Sequence, residues 1–254
     1  MTMATGTLLV GAIPRPTDRL IIISGQSLAV AAGAVEPTPL PTPYLQHVGT
    51  DASTWPADLH LQGWTYLTRI TGSHRGCEFG ISEMARVDGY RVTVLKFAVN
   101  GSGLRPTAFP SWPKGAAPAS FYPTWLSFVQ TAQVFCGRKL DAVIWWQGEH
   151  DANDLVEVNN YAARLNQLHI DWRTDLALPN LPVVAVKMKV DSGVADAVTL
   201  RAQQEVWVAA ASNRYLMRDN EDLPFSDTVH LTGAGYYTAG TRIWPILKTA
   251  WGLP

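Results

Sequence analysis

The chain has 254 residues, 47% of them hydrophobic, and its 20 Lys and Arg against 21 Asp and Glu leave a formal net charge of -1. That length suffices for one α/β domain spanning 1–254 with a sizeable core, and the near-neutral balance without a basic run excludes a nucleic-acid footprint. No apolar stretch reaches the roughly 20 residues needed to span a bilayer, and residues 1–10 lack the pattern of a signal peptide.

Taken in order, residues 1–18 read as an extended lead-in broken by Pro14 and Pro16. Residues 20–23 are a short apolar run ending at small residues, the pattern of a strand buried on both faces. It breaks at Ser24-Gly25-Gln26-Ser27, and residues 28–34 can follow as a short helix. Residues 35–76 carry Pro37, Pro39, Pro41, Pro43 and Pro56 and read as one long loop, expected to wall a site because so long a loop is uncommon in a compact domain. A helix is expected over 78–87, stopped by Asp88-Gly89, then a second strand over 91–98. Residues 104–118 read as a second Pro/Trp loop. Residues 120–136 read as a helix with Pro123 in its first turn, capped by Gly137. A third strand over 140–146, a long helix over 155–172 and a fourth strand over 181–190 follow. A helix over 195–211, a short strand over 214–217 and a last helix over 232–251, interrupted by Pro245, close the chain. Strands alternating with helices imply right-handed βαβ units. The expected fold is a three-layer α/β/α sandwich around a parallel sheet of about five strands.

Cys77 and Cys136 are too few for a disulfide framework, and two unbridged thiols are expected over one bridge. The chain has ten tryptophans, several of them in Pro/Gly-rich stretches. Core filling accounts for most of them. Trp55, Trp64 and Trp112 are the loop positions that suit a flat wall for a sugar ring.

Four short turns could carry chemistry. A strand ending in a Gly-containing turn delivers the next side chain to the carboxyl edge of the sheet, where open α/β sheets bind ligands. Ser27 is so placed. It is a candidate nucleophile, with a helix N-cap as its ordinary reading and Ser24 as a competitor in the same turn. A serine needs a base and a group that orients the base. His230 supplies the base, and Asp227, three residues earlier, can hold one ring nitrogen while the other faces the serine. Among the remaining histidines only His150, between Glu149 and Asp151, has comparable neighbours. The backbone N–H groups of Ser27 and Gly101, with the Gln147 amide, are candidate donors to an oxyanion. Glu149 and Asp151 are expected chiefly to shape their loop. Gln26, Asn100 and Glu149 also border the space where substrate would sit. The turn at 100–103 lacks the full dinucleotide fingerprint, which excludes a nucleotide cofactor reading.

Together the four turns resemble the blocks of the SGNH/GDSL hydrolase superfamily, and within it the sialate O-acetylesterase and carbohydrate esterase family six branch. Gly25-Gln26-Ser27-Leu28 is similar to the G-Q-S-N block, with Leu28 in place of asparagine. Residues 98–102, Ala-Val-Asn-Gly-Ser, are similar to A-x-G-G-T, with Asn100 in place of a glycine. Gln147-Gly148-Glu149-His150-Asp151 matches Q-G-E-x-D, and Asp227-Thr228-Val229-His230 matches D-x-x-H. The resemblance implies hydrolysis of O-acetyl esters on a carbohydrate without metal or cofactor. It implies Ser27, His230 and Asp227 as the triad, and Ser27, Gly101 and Gln147 as oxyanion donors. A lipase or arylesterase of the same superfamily, and a non-catalytic carbohydrate-binding or phage attachment module on the same fold, are the alternatives. The sugar, the oligomeric state and the compartment are not specified by these motifs.

Overall fold

The long apolar run at the start becomes β1 (Asp18–Gly25), which stands at the centre of the sheet. The computed structural model describes residues 16–31, 46–51, 65–66, 76–105, 111–116, 120–190 and 193–254, with backbone alone at 46–51 and 65–66. The other strands are β2 (Gln46–Asp51), β3 (Thr65–Tyr66), β4 (Arg91–Ala98), β5 (Ala142–Trp146), β6 (Val183–Val186) and β7 (Arg214–Met217). They form one sheet in the order β3-β2-β4-β1-β5-β6-β7. Every pairing is parallel except β2 with β3, which is antiparallel.

Successive residues of β1 point to opposite faces. Leu20 and Ile22 enter one core, and Ile21 and Ile23 enter the other. The first face is covered by α3 (Tyr122–Cys136), α5 (Tyr161–Asp175) and α6 (Ala197–Ala209), with α4 (Leu155–Asn159) beside them. The second is covered by α1 (Ser27–Val30), α2 (Glu78–Val87) and α7 (Gly233–Ala250). The architecture is therefore a three-layer α/β/α sandwich. Among the described residues no helix is long and apolar enough to cross a membrane.

The first core is built largely from indole rings. Trp125 stacks on Trp172 with centroids 5.1 Å apart, and Trp145 meets the edges of both Trp112 and Trp172. Trp112 is fully buried and donates through Nε1 to Ser102 Oγ at 2.7 Å. The expectation that Trp112 forms a sugar platform is thereby corrected: it sits in the Pro/Trp loop, but it anchors that loop to the core. Trp55 and Trp64 lie outside the described residues.

Three other expectations change. The segment 35–76, expected as one long loop, contributes β2 and β3, which extend the expected parallel sheet on one side to seven strands in all. Gln46–Asp51 has no apolar run to announce it, and it is strand because its backbone pairs along β4. The long helix expected over 155–172 is two helices. Asp154 caps α4 by accepting from the N–H groups of Val156 and Glu157, and the chain turns at Asn160 before α5. Pro245 does not divide α7, which runs continuously through it. Cys77 and Cys136 are both free, the first buried and the second half-buried.

Helices α2 and α7 approach backbone to backbone. A Cβ on Gly80 would lie 2.1 Å from the Tyr237 carbonyl oxygen, and one on Gly240 would lie 2.0 Å from that of Cys77. Alanine ordinarily favours a helix over glycine by about 1 kcal/mol. Here Gly80→Ala is expected to reverse that sign and cost about 2 kcal/mol or more in urea unfolding, because two backbones must separate. A variant as stable as the parent would contradict this contact.

Candidate active site

Gly25 ends β1 opposite Ala98 of β4 and Trp146 of β5, at the carboxyl edge of the sheet. Its φ is +139°, and a Cβ there would lie 2.0 Å from the Trp146 carbonyl oxygen, so only glycine fits. The Gln26 N–H donates to that same carbonyl at 3.0 Å, and Val99 N–H donates to Gly25 O at 2.9 Å. The chain then enters α1, with Ser27 as its first residue and half-buried. Ser24, the competing hydroxyl, is fully buried and accepts from Trp125 Nε1 at 2.8 Å. Ser27 is the serine of this turn that reaches the surface.

The far end of α1 is held from a neighbouring strand. Lys96, in mid-β4, places Nζ 2.8 Å from Glu78 Oε1 and 3.4 Å from the Val30 carbonyl oxygen. Both side chains of this ion pair are buried. The signal for this pair in the sequence is a lysine flanked by Leu95 and Phe97 in a central strand, an unusual choice that calls for a partner.

The turn after β4 presents Asn100 and Gly101, both exposed, while Ser102 is buried and bonded to Val99 O and Gly25 O. Among the described residues neither the Ser27 nor the Gly101 N–H has a hydrogen-bond partner. The first turn of any helix leaves such donors over.

The turn after β5 is almost wholly buried. Gln147 Nε2 donates to Gln26 Oε1 (3.1 Å), Ser102 O (3.1 Å) and Asp151 Oδ2 (2.5 Å). With two protons and three acceptors inside the protein, this amide has none to give a substrate. That corrects its expected place as an oxyanion donor. Gln26, expected beside the substrate, is likewise buried, and its Oε1 also accepts from His150 N–H at 3.2 Å. Asp151 is buried and accepts the Leu104 N–H through both oxygens. Burial raises its pKa, against the pull of Leu104 N–H and the Gln147 amide. Glu149 is 5% exposed and its Oε2 has no donor among the described residues. Burial pushes this carboxyl up to about 7, opposed by the backbone N–H groups of Glu149 and Gly148 and reinforced by the charge of Asp151.

The loop between β7 and α7 brings Asp227 and His230 together. Asp227 Oδ1 accepts the N–H groups of Val229 (2.8 Å) and His230 (2.7 Å), and its Oδ2 lies 2.8 Å from His230 Nδ1. Partial burial works to raise Asp227, but these three donors outweigh it and hold the carboxyl at about 2. The loop is closed by a bridge between Phe225 and Leu231, and Thr232 caps α7 by accepting from Gly235 N–H. His230 Nε2 is buried and has no partner among the described residues. A small cleft is lined by Leu28, Trp146 and Glu149 together with Val229 and Leu231. The neighbour of Ser27 and both neighbours of His230 thus border the same space.

The family model for carbohydrate esterases of the sialic acid-specific acetylesterase type matches residues 17–246. A probable carbohydrate esterase of Arabidopsis thaliana is 24% identical over 237 residues, 86% of each chain. The solved structure of that Arabidopsis protein has a TM-score of 0.73 at 21% identity, over 92% of this chain and 99% of the other. A carbohydrate acetylesterase of Xanthomonas citri has a TM-score of 0.65 at 16% identity, over 92% of this chain and 56% of the other.

The carboxyl of Glu149 yields a pH test. Unfolded, it ionises near its ordinary 4.5; folded, near 7. Between these values the folded protein holds the extra proton, so stability falls as pH rises through that window and levels off above it. The full effect is on the order of 3 kcal/mol. Glu149→Gln is expected to flatten the decline and to melt above the parent at pH 8. Thermal scans at pH 5 and pH 8 check this, and an equal decline in both proteins would contradict it.

Proposed function

The chain belongs to the sialic acid-specific acetylesterase family of carbohydrate esterases and is a carboxylic ester hydrolase; we propose that it removes O-acetyl groups from an acetylated xylan-type polysaccharide or from O-acetyl sialic acid through Ser27, His230 and Asp227. One observation carries the reading. His230 is fixed through Nδ1 by a carboxylate that stays ionised, its buried Nε2 is left unengaged, and its two chain neighbours border the cleft that Leu28 also lines.

In this reading the acetyl carbonyl carbon sits above Ser27. As Oγ bonds to that carbon, its proton passes to His230 Nε2. The carbonyl oxygen becomes an oxyanion, to which the Ser27 and Gly101 N–H groups donate. Asp227 holds the ring in one tautomer and stabilises the imidazolium. The bond from carbon to the sugar oxygen then breaks, and His230 returns the proton to that oxygen. Water, deprotonated by the same imidazole, attacks the acetyl-serine and releases acetate. Every bond made or broken is accounted for by the ester, the serine and one water. The exposed Asn100, beside Gly101, stands on the sugar side.

Acetate release from acetylated xylan and from an O-acetyl sialoside tests the proposal. Ser27→Ala is expected to lower kcat by about 10⁴-fold or more. Asp227→Asn keeps an oxygen for the two backbone N–H groups but supports the wrong tautomer, and is expected to lower kcat by a comparable factor, about 10⁴. Full activity in Ser27→Ala would overturn the assignment of the nucleophile.

A further inference from the structure

Asn100 and Gly101 form the only asparagine–glycine pair in the chain. Residues 99–102 make a tight turn: Ser102 N–H donates to Val99 O at 3.2 Å, and Gly101 stands at the third position with φ +65°. The base of this turn is locked. Ser102 is buried, and its Oγ donates to Val99 O and accepts from Trp112 Nε1. The tip is open. Asn100 and Gly101 are both exposed, and a Cβ built on Gly101 would meet nothing within 4 Å. Neither the Asn100 side chain nor the Gly101 N–H has a hydrogen-bond partner among the described residues. Other asparagines are tied down: the side-chain amides of Asn153, Asn159 and Asn160 donate to the carbonyl oxygens of Glu149, Leu155 and Val156.

Asparagine is thermolabile because the main-chain nitrogen of the next residue can attack its side-chain amide. Glycine leaves that attack least obstructed, having no Cβ. We infer that Asn100–Gly101 is a self-modification site, at which the chain converts Asn100 to aspartate and isoaspartate and takes from the Gly101 N–H its role toward an oxyanion. Hydroxide removes the Gly101 amide proton, and the nitrogen bonds to Asn100 Cγ. The side-chain nitrogen takes a proton from water and leaves as ammonia. The product is a succinimide ring whose nitrogen carries no hydrogen. Water then opens the ring. Breaking the bond from that nitrogen to Cγ yields aspartate. Breaking its bond to the main-chain carbonyl carbon yields isoaspartate, in which the backbone runs through Cβ and Cγ. Each state damages the donor: the ring lacks it, isoaspartate displaces it by one extra backbone carbon, and aspartate sets a carboxylate beside the negative charge it would stabilise. The conversion needs only the chain and water; its effect on turnover rests on the esterase reading above.

Warm incubation at pH 8, sampled over days, tests both parts in the intact protein. In the tryptic peptide that begins at Phe97, the mass change from amide to acid is expected to grow faster than at any other asparagine of the chain. The isoaspartate form is recognised by its resistance to a protease that cuts before aspartate. Acetate release from p-nitrophenyl acetate is expected to fall in step, with the converted fraction working about a hundredfold more slowly, the ordinary cost of losing one oxyanion donor. Thermal scans are expected to show the fold intact, because the base of the turn is untouched. Asn100→Gln, whose longer side chain has to close a larger ring, is expected to keep whatever activity it starts with. An unconverted Asn100 would overturn the inference. So would conversion with turnover undiminished, or an equal loss of activity in Asn100→Gln. If the freshly purified protein hydrolyses no ester, the proposed function fails instead, and the mass of the peptide alone decides whether the conversion takes place.

Discussion

The Gln147 amide nitrogen is the junction on which the site depends. It reaches the Gln26 side chain after β1, the Ser102 carbonyl after β4 and the Asp151 carboxyl of its own turn. These three turns leave adjacent parallel strands at one edge of the sheet, where consecutive loops would otherwise be free to splay apart. Backbone bonds from Gln26 to Trp146 and from Val99 to Gly25 set the same register from below. One buried, fully engaged amide thus fixes where the Ser27 and Gly101 N–H groups stand relative to each other. Low local dielectric strengthens such a network and makes any break in it costly.

Around this junction the carboxyl groups divide by surroundings. Asp227, in an open loop with three donors, is held at about 2 and is ionised throughout the range in which an imidazole changes charge. Glu149, shut away beside Asp151, is raised to about 7. The first is suited to orienting a cationic ring. Beneath α1, Lys96 and Glu78 add a buried ion pair whose ammonium also reaches the last carbonyl of that short helix. A buried pair is weak evidence for stability, since apolar residues of like size often serve as well. Its second bond, to Val30 O, ties the serine-bearing turn to β4.

The parallel core of the fold was legible because its strands are short runs dominated by apolar residues; β4 and β7 fall at the expected bounds, as does α2. β2 was not, because Gln46–Asp51 is strand by virtue of its neighbour rather than its own side chains. The Asp227–His230 contact followed from a spacing of three within a tight turn, which is local geometry. The burial of Trp112, Gln26 and Gln147 did not follow from sequence, because which face of a loop turns inward is decided by tertiary partners, such as Trp145 for Trp112 and, 121 residues apart, Gln26 for Gln147.

The central claim is that Ser27 is a nucleophile activated by His230. The most direct measurement is mass spectrometry of the protein after reaction with diethyl p-nitrophenyl phosphate, an ester mimic that stays on the attacking oxygen. A single diethylphosphoryl adduct on Ser27, formed far more slowly in His230→Ala, is the expected result. No adduct, or an adduct on another residue, would contradict the account.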